Sequence, residues 1–320
     1  MSSLGKFYMH LNRNRSFCNF VDKVLNILYS PLRWYLNCSK SKPAMNKKYY
    51  ICICAIFRDE GRNLQEWILY HKLVGIDHIF LYNNFSKDNY MEVIKPYIDD
   101  GFVTITEWPY EYSQMAAYED CYNKYGNQTN WLSFIDLDEF ICPKYKYNIK
   151  DWVKKYEGYP VVAVYWQMFG TCGIMSRDHD KLVIEQFTTS WEKLDGIGKY
   201  ILSTDSRFTQ TKIDCHQAYT RYKILGIKIL LPMINEDKRF VFFPMLYKVP
   251  KRNTIQLNHY FSRSYEEFTI KANRGNAATQ THDLIRKKKE FFINHEKNNI
   301  SENKVIFRYL TLLKEQMGKY

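Results

Sequence analysis

Several common signatures are missing from this chain. It contains no CxxC pair, no cysteine and histidine spacing typical of zinc sites, and no internal repeat. It also lacks an apolar run approaching the roughly 20 residues of a membrane-spanning helix, and no secretory signal is recognised. These absences argue against a zinc module, a repeat protein and an integral membrane protein. The eight cysteines do not by themselves imply disulfides, and a reducing compartment is expected; they are Cys18, Cys38, Cys52, Cys54, Cys121, Cys142, Cys172 and Cys215.

Acidic residues are scarce at both ends of the chain. Residues 1–48 hold nine Lys or Arg against the single acid Asp22, and residues 285–320 hold nine basic residues against four acids. The overall charge of +12 therefore leaves −1 for residues 49–284. A nucleic-acid-binding protein would need a basic patch on its folded core, so the neutral middle argues against a nucleic-acid partner.

The length of 320 residues predicts one large domain with appendages. We expect a basic amphipathic extension and linker over 1–48, a catalytic domain over 49–284 and a basic helical extension over 285–320. Tyr and Phe, at 27 and 20 residues, raise the aromatic share to 17%. Such side chains could stack on sugars or nucleobases, or could reflect a bias across the whole chain.

The N-terminal region predicts an amphipathic helix. Apolar residues at 17, 20, 21, 24, 25 and 28 follow a helical period, and Pro31 stops or kinks the helix. A basic helix of this kind could lie on an anionic membrane surface, or could pack on the catalytic domain or a second subunit. The first alternative predicts a cytoplasmic protein held peripherally at the inner face of the membrane. Residues 38–48 are predicted to be a linker.

From residue 49 onward, short apolar runs alternate with helical segments, which predicts an α/β domain with a mainly parallel sheet. Strands are expected at 49–57, 79–82, 102–107, 131–135 and 161–166, and helices at 63–74, 90–98, 113–125, 149–156, 264–272 and the C-terminus. Gly75 is expected to cap the first of these helices. The span 187–217 is predicted to be irregular, and the stretches 224–233 and 240–246 are predicted to be hairpin strands.

The segment 131–140, WLSFIDLDEF, contains the strongest chemical signal. Asp136 and Asp138 follow an apolar strand, and ligands of open α/β sheets bind at the carboxyl ends of the strands. Two carboxylates at this spacing can bind one hard divalent cation, Mn²⁺ or Mg²⁺, which would neutralise a diphosphate. The alternative is a solvated turn. A solvated turn does not require a buried strand before it, so the apolar residues before Asp136 favour the metal site.

Two further groups are expected near this edge. Arg58, Asp59 and Glu60 follow the first strand, and Asn83 and Asn84 follow the second, where they could bind a nucleobase and ribose or simply form turns.

Downstream, His259 could be the third cation ligand, although a lone histidine is more often structural. Lys271 and Arg274 could hold the diphosphate by charge-assisted hydrogen bonds.

The motifs resemble those of a known family when they are taken in order. They are residues 55–84, FIDLDEF at 134–140, WQMFG at 166–170, NHY at 258–260, SYEEF at 264–268 and RG at 274–275. In this combination the chain resembles glycosyltransferase family 92 and the closely related glycosyltransferase-2-like bacterial proteins.

The resemblance implies a GT-A fold: a Rossmann-like, mainly parallel sheet with helices on both faces. It also implies a nucleotide-sugar donor, UDP-galactose in characterised relatives, a divalent cation such as Mn²⁺, and inversion at the anomeric carbon. Lys199 and His216 match residues that recur in the family and could contact phosphate or acceptor. The end of the chain departs from the family, because Asn298 and Glu302 fit only loosely.

The sequence therefore predicts transfer of a sugar to a hydroxyl of a glycan or lipid-linked acceptor. The base that takes the hydroxyl proton is left open among Asp195, Asp205, Asp214 and Glu302. The competing interpretations are a nucleotidyltransferase on the same fold and a non-enzymatic protein that binds membranes or nucleic acids.

Overall fold

The computed structural model describes residues 15–39, 44, 46–224, 226–243, 249–274 and 289–319, and the structural statements below concern these residues. Of Arg15, Gln210 and Arg274 it describes the backbone alone.

The strands of the described residues form three sheets. They are β1 (Tyr49–Phe57), β2 (His78–Asn83), β3 (Val103–Glu107), β4 (Thr129–Phe134), β5 (Glu139–Pro143), β6 (Val161–Met168), β7 (Thr189–Trp191), β8 (Gly198–Ser203), β9 (Phe208–Ile213), β10 (Ala218–Ile224), β11 (Ile227–Leu231), β12 (Ile255–His259) and β13 (Asn299–Glu302). The main sheet has eight strands in the order β3-β2-β1-β4-β8-β6-β12-β5. Six of them run in one direction, while β8 and β5 are antiparallel to their neighbours.

Ten α-helices are found among the described residues. They are α1 (Arg15–Leu28), α2 (Ser30–Cys38), α3 (Gly61–Val74), α4 (Tyr90–Asp99), α5 (Gln114–Tyr125), α6 (Ile149–Val153), α7 (Val183–Gln186), α8 (Tyr265–Arg274), α9 (Lys289–Glu296) and α10 (Leu310–Gln316). Two 3₁₀ helices, Lys154–Tyr156 and Val305–Tyr309, extend α6 and precede α10.

Strand β1 separates two apolar layers. Successive side chains of a strand point to opposite faces, so Ile51 and Ile53 join the cluster under α3, whereas Cys52 and Cys54 join the cluster under α5. Because both faces are covered, β1 is a near-continuous apolar run, as expected of a parallel strand. Cys52 and Cys54 thus share one face of β1.

From β1 to β6 the predicted order of elements is confirmed except for β5, which was not predicted, and the boundaries of the predicted elements differ by no more than about three residues. Gly75 ends α3 in the left-handed conformation, with φ 99°. A side chain at this position would also overlap Asn148, so the glycine is required twice over.

The span 187–217 contradicts the prediction of irregular structure, because it contains β7, β8 and β9. Strand β8 is short and flanked by polar residues, yet it lies between β4 and β6 and is buried along its whole length. In the stretch 240–246, Phe240 forms only an isolated bridge with Ile234, and 244–248 lie outside the described residues. The basic C-terminal region forms α9, β13 and α10 instead of a single helix.

The N-terminal helices pack on the α/β domain. Helix α1 ends at Leu28, and Pro31 stands in the first turn of α2, where its missing N–H is harmless. Leu36 is fully buried against the domain. No helix among the described residues is long and apolar enough to cross a membrane. The division of the chain at 48 and 284 stays a prediction.

Candidate active site

Asp136 lies in the turn that leaves β4 at the carboxyl edge of the parallel strands. Its Oδ2 accepts a hydrogen bond from Lys199 Nζ at 3.0 Å, and its Oδ1 accepts one from Gln114 Nε2 at 3.0 Å. Tyr118 donates a longer bond to the same Oδ1, at 3.3 Å. Both oxygens of Asp136 are thus held, one by Lys199 of β8 and the other by Gln114 and Tyr118 of α5.

Asp138 contacts a different pair of residues. His259 Nε2, at the end of β12, lies 3.3 Å from Asp138 Oδ2, and the Lys271 ammonium of α8 ion-pairs with the same oxygen. The backbone follows this grouping, since Tyr260 N donates to Asp138 O at 2.8 Å. Residues more than 120 positions apart therefore meet at one carboxylate.

The surrounding charges decide the protonation of both carboxylates. Burial alone would raise the pKa of Asp138, but Lys271 and His259 outweigh it and hold that pKa well below its usual range. Burial opposes ionisation of Asp136 as well, and Lys199 overcomes it and lowers the pKa. Both groups are carboxylates at neutral pH. Burial lowers the pKa of His259, with partial opposition from Asp138, so its imidazole is neutral.

Glu139 is a third carboxylate that holds the turn together. Its Oε2 accepts a hydrogen bond from Asp136 N at 2.9 Å, and its Oε1 accepts one from Trp166 Nε1 at 2.6 Å. Burial raises the pKa of Glu139 well above the usual value. Repulsion from Asp136 and Asp138 raises it further, and the attraction of Lys199 opposes the shift. Glu139 therefore positions the backbone of the Asp136–Asp138 turn.

The predicted family residues Lys199 and His216 both lie at this edge. His216 Nδ1 donates to Gly198 O at 3.0 Å, and its ring stands 5.2 Å from the Trp166 ring. Burial and the Lys199 charge lower the pKa of His216 to about 4. Cys215 Sγ donates to Gln114 Oε1 at 3.4 Å, which joins this segment to the partners of Asp136.

The residues after β1 and β2 form a second group at the same edge. Arg58 donates to Asn84 O and Asn84 Oδ1, both at 2.7 Å, and its guanidinium stacks on Phe85 at 5.1 Å. Asn83 Nδ2 donates to Glu107 Oε2 at 2.7 Å and to Tyr90 OH at 2.9 Å. Both asparagines are buried and build the edge by bonding to neighbouring protein groups. Their contact with a nucleobase or ribose stays a prediction.

Asp59 and Glu60 face in different directions. Asp59, at φ 51°, accepts a hydrogen bond from Lys87 N at 2.7 Å and so ties the two loops together. Glu60 Oε2 accepts one from Arg263 Nη1 at 3.0 Å, while Arg263 Nη2 lies 3.4 Å from Leu137 O. Arg263 therefore connects the loop after β1 to the Asp136–Asp138 turn.

The four candidate bases occupy different environments. Asp195 is half-buried, its N donates to Trp166 O at 2.8 Å, and burial raises its pKa, partly offset by His259. Asp214 is exposed and precedes Cys215 at the site. Glu302 is exposed in β13 and ion-pairs with Lys304 at 2.5 Å.

Asp205 is the candidate that the fold separates from the site. It lies two residues past the end of β8, at the amino-terminal edge of the parallel strands, and it accepts a hydrogen bond from Arg207 Nε at 2.9 Å. Because β8 is antiparallel to β4, its two ends lie at opposite edges of the sheet, with Lys199 at one and Asp205 at the other. The prediction that includes Asp205 among the bases is corrected on this ground.

The donor chemistry of the predicted cation site can be compared with the contacts observed. Carboxylate oxygens and a neutral imidazole suit Mn²⁺ or Mg²⁺, and Asp138 and His259 already converge. His259 Nδ1 is buried without a hydrogen-bond partner. Asp136, however, turns to Lys199, and in the described part of the chain no three His, Cys, Asp or Glu side chains form a group that could hold a metal. A cation would have to replace the Lys271 ammonium at Asp138.

Several residues of the site were missed by reasoning from the sequence. They are Gln114, Tyr118, Trp166 and Arg263. The local signals were the spacing of Gln114 and Tyr118, four residues apart on one face of α5, and the place of Trp166 in the motif WQMFG. Arg274 ends α8, and its side chain lies outside the described residues.

The sheet order, the helices on both faces and the acidic turn at the carboxyl edge define an α/β domain of the GT-A type. The family model of glycosyltransferase family 92 matches residues 47–302. The chain belongs to glycosyltransferase family 92.

Individual relatives match shorter segments. A glycosyltransferase family 92 protein of Ricinus communis is 36% identical over 109 residues, which are 34% of this chain and 20% of the relative. The galactan beta-1,4-galactosyltransferase GALS3 of Arabidopsis thaliana is 24% identical over 170 residues, 49% of this chain and 34% of the relative. The matched segments thus span about a fifth to a third of these relatives.

Among solved structures, the S. aureus TarS fragment 1–349 is similar at 12% identity and a TM-score of 0.38, covering 77% of this chain and 71% of that one.

Proposed function

We propose that this protein transfers a sugar from a nucleotide-sugar donor to a hydroxyl group of a glycan or glycolipid. The observation that carries the proposal is the convergence of Asp138, His259 and Lys271 at the carboxyl edge of the sheet in a family 92 chain. Ligands of open α/β sheets bind at that edge. Membership of a glycosyltransferase family favours this reaction over nucleotidyl transfer.

For the donor we propose a UDP-sugar, with galactose as the first sugar to test. Two of the relatives, GALS3 and GALS2 of Arabidopsis thaliana, are named galactan beta-1,4-galactosyltransferases, at 24% and 29% identity. Those names describe the relatives, and their matched segments cover about a third of each protein. The donor sugar of this chain is therefore a proposal to be tested against other nucleotide sugars.

A divalent cation, Mn²⁺ or Mg²⁺, is the proposed cofactor, and Asp138, His259 and Asp136 would hold it. Bound there, it would neutralise the charge of the departing diphosphate. Lys271 then becomes available to the phosphate oxygens, to which it can give charge-assisted hydrogen bonds. Lys199 keeps Asp136 ionised, and Asp136 would have to turn from its present contact with Lys199 to reach the cation.

We propose that the reaction is a direct displacement with inversion. The base takes the proton of the acceptor hydroxyl while its oxygen attacks the anomeric carbon, and the nucleoside diphosphate leaves. Asp195 is the candidate best supported by its position, because it is half-buried and bonded through its backbone to Trp166. Trp166 in turn bonds to Glu139. No covalent intermediate with the protein is required in such a displacement.

A peripheral location on the cytoplasmic face of a membrane is also proposed. It is supported by the charge of residues 1–48 and by the exposed apolar side chains of α1. Deletion of residues 1–40 is expected to release the protein from the membrane fraction. Unchanged fractionation would remove the N-terminal helices from this account.

The proposed activity is tested with a panel of nucleotide sugars in the presence of Mn²⁺, with the released nucleotide identified. Nucleoside diphosphate marks glycosyl transfer, and pyrophosphate would instead mark a nucleotidyltransferase.

We expect Asp138→Asn and His259→Ala to lower turnover by about 10²-fold or more, since each removes a group at the site of developing charge. Chelator should abolish wild-type activity, and added Mn²⁺ should restore it. Full activity of both variants would contradict the proposal.

A further inference from the structure

Helix α1 packs on the domain through a polar residue and turns apolar residues outward. Asn26 is buried, its Nδ2 donates to Phe240 O, and Phe240 N donates to its Oδ1, both at 3.0 Å. On the other side, Phe20 and Ile27 are 64% and 71% exposed, with Val24 between them. The spacing of 20, 24 and 27 forms one stripe along the helix. Burial of apolar area against the domain cannot explain this stripe.

Helix α2 continues the same surface. Leu28, the last residue of α1, is 66% exposed, and Trp34 in α2 is 70% exposed. The helix is nevertheless firmly placed, because Leu36 is buried and Tyr159 OH donates to Arg33 O at 3.2 Å. A fixed backbone that presents a large exposed tryptophan is typical of a membrane-interface anchor.

A basic cavity of about 830 Å³ adjoins the stripe, and Ile27 and Trp34 line one side of it. Four cationic side chains line it as well: Lys23, Arg33, Lys238 and Arg239. Among the described residues that line it, Asp237 is the one carboxylate; it accepts a hydrogen bond from Lys251 N at 2.9 Å and lies 3.9 Å from Arg252 Nε. The cavity is therefore suited to a phosphate group at the boundary of an apolar surface.

We propose that the surface of Phe20, Val24, Ile27, Leu28 and Trp34 docks on an anionic phospholipid bilayer, with the basic cavity around a headgroup phosphate. The inference rests on the peripheral location proposed above and assigns it to particular residues. A second copy of this chain is the less suited occupant, because a symmetric pair would bring the same cations face to face. A bilayer with anionic lipids complements both the charge and the apolar stripe.

In the docked orientation, the carboxyl edge of the sheet, where Asp138 lies, faces away from the bilayer. Helix α2 contacts Gly158 and Tyr159, which precede the first residue of β6, whereas Asp138 follows the opposite end of the parallel strands. The eight residues of β6 span roughly 25 Å at about 3.3 Å per residue. An acceptor would reach the site as an extended glycan and not as a sugar at the level of the headgroups.

The experiment is co-sedimentation of the full chain with vesicles of phosphatidylcholine alone, or of phosphatidylcholine with phosphatidylglycerol. Binding is expected to the second vesicles only and to weaken with salt. The double substitution Phe20→Ser/Ile27→Ser should lower partitioning at least about tenfold. Lys23→Gln/Arg239→Gln should lower it about fivefold per cation, the equivalent of about 1 kcal/mol each.

Matched controls are Ile300→Ser, an exposed isoleucine of β13, and Lys95→Gln, an exposed lysine of α4. Both should bind as the wild type does, and all variants should keep its circular dichroism.

Failure of the wild type to bind either kind of vesicle would overturn the peripheral location itself. Binding that survives both double substitutions would overturn only the assigned surface. A dimer in sedimentation velocity that Phe20→Ser/Ile27→Ser abolishes, without vesicle binding, would assign the surface to a second copy and contradict the bilayer.

Discussion

Asp136 and Asp138 are two residues apart in the chain, but they contact different partners. Asp136 is neutralised by Lys199, whose side chain is only 2% exposed, and it is further held by Gln114. Asp138 faces Lys271 and His259 instead, which come from α8 and β12. The pair is buried on the lysine side only, since the Asp136 side chain is 34% exposed, and removing Asp136 would leave the buried Lys199 charge without a partner. The cationic partner of Asp138, Lys271, is 25% exposed against 2% for Lys199, so it is the partner that can move aside more easily for a ligand.

At the same scale, Asp195→Asn tests the base of the proposed displacement. Loss of a general base is expected to lower kcat by about 10² to 10⁴-fold. Burial raises the pKa of Asp195, and the base works ionised, so activity should fall as the pH drops through that raised pKa. The acid limb of kcat/KM should lie above the usual range of an aspartate and vanish in the variant.

The matched control for Asp195 is Asp205→Asn, at the opposite edge of the sheet, which is expected to stay within about twofold of wild-type kcat. An Asp195→Asn enzyme with the wild-type rate and pH profile would return the choice to Asp214 and Glu302.

At the scale of elements, one face of α3 holds the strand that follows the acidic turn. Trp67 Nε1 donates to Glu139 O and Tyr70 OH donates to Ile141 O, each at 2.8 Å. His71 Nε2 accepts a hydrogen bond from Ile141 N at 3.3 Å, and its Nδ1 donates to Trp67 O at 2.8 Å. The helical spacing of 67, 70 and 71 places all three side chains on one face. The start of β5, and with it the turn before it, is thereby fixed to α3.

His71 makes the stability of this contact depend on pH. Burial lowers its pKa from 6.5 to about 3, so between these values the unfolded chain binds a proton that the folded chain does not. Stability is therefore lost as the pH falls below 6.5, by about 2 kcal/mol for this group at about pH 5. Urea unfolding of wild type and His71→Gln at about pH 7 and pH 5 measures it.

The His71→Gln variant is expected to be less stable at neutral pH but to lose about 2 kcal/mol less on acidification. His179→Gln is the control, since His179 is exposed, and its acid sensitivity should equal that of the wild type. An unchanged drop in His71→Gln would show that His71 is not the group responsible.

At the scale of the whole molecule, the N-terminal helices and the acidic turn lie at opposite edges of the sheet. Helix α2 approaches the domain where Gly158 leaves room for its backbone: an added Cβ at Gly158 would lie 1.9 Å from Leu36 O. The contact involves two backbones, so rotation of a side chain cannot relieve it. Docking of α2 therefore depends on a position without a side chain.

Gly158→Ala is expected to loosen α2 at a cost of about 1 to 3 kcal/mol, the usual range for overpacking. Limited proteolysis should then cleave the region 15–39 faster, while sugar transfer to a soluble acceptor continues, because the reacting edge is remote. Gly101→Ala is the control: its φ of 76° makes alanine strained there, but no atom lies within 4 Å of the added Cβ, so it should cost stability without loosening α2. Equal protection of α2 in both variants would contradict the inferred contact.

Local patterns were enough to predict much of the fold and the centre of the site. The predicted β1 matches the observed strand, and the order of elements to β6, apart from the missed β5, follows from alternating apolar periods that report burial directly. Asp136 and Asp138 were placed at a strand exit because they directly follow an apolar run. His259 and Lys271 were named from motifs, but that both contact Asp138 became visible only in the structure.

The sequence by itself determined the properties that depend on residues close together in the chain: periodicity, caps such as Gly75, and the acidic turn. Only the tertiary structure decided the rest. It placed β8 in the middle of the sheet, separated Lys199 from Asp205 at opposite edges, directed Asn83 inward, and turned the apolar stripe of α1 outward. Each of these depends on which distant segment supplies a partner, and contacts between residues far apart in the chain leave no periodic trace in it.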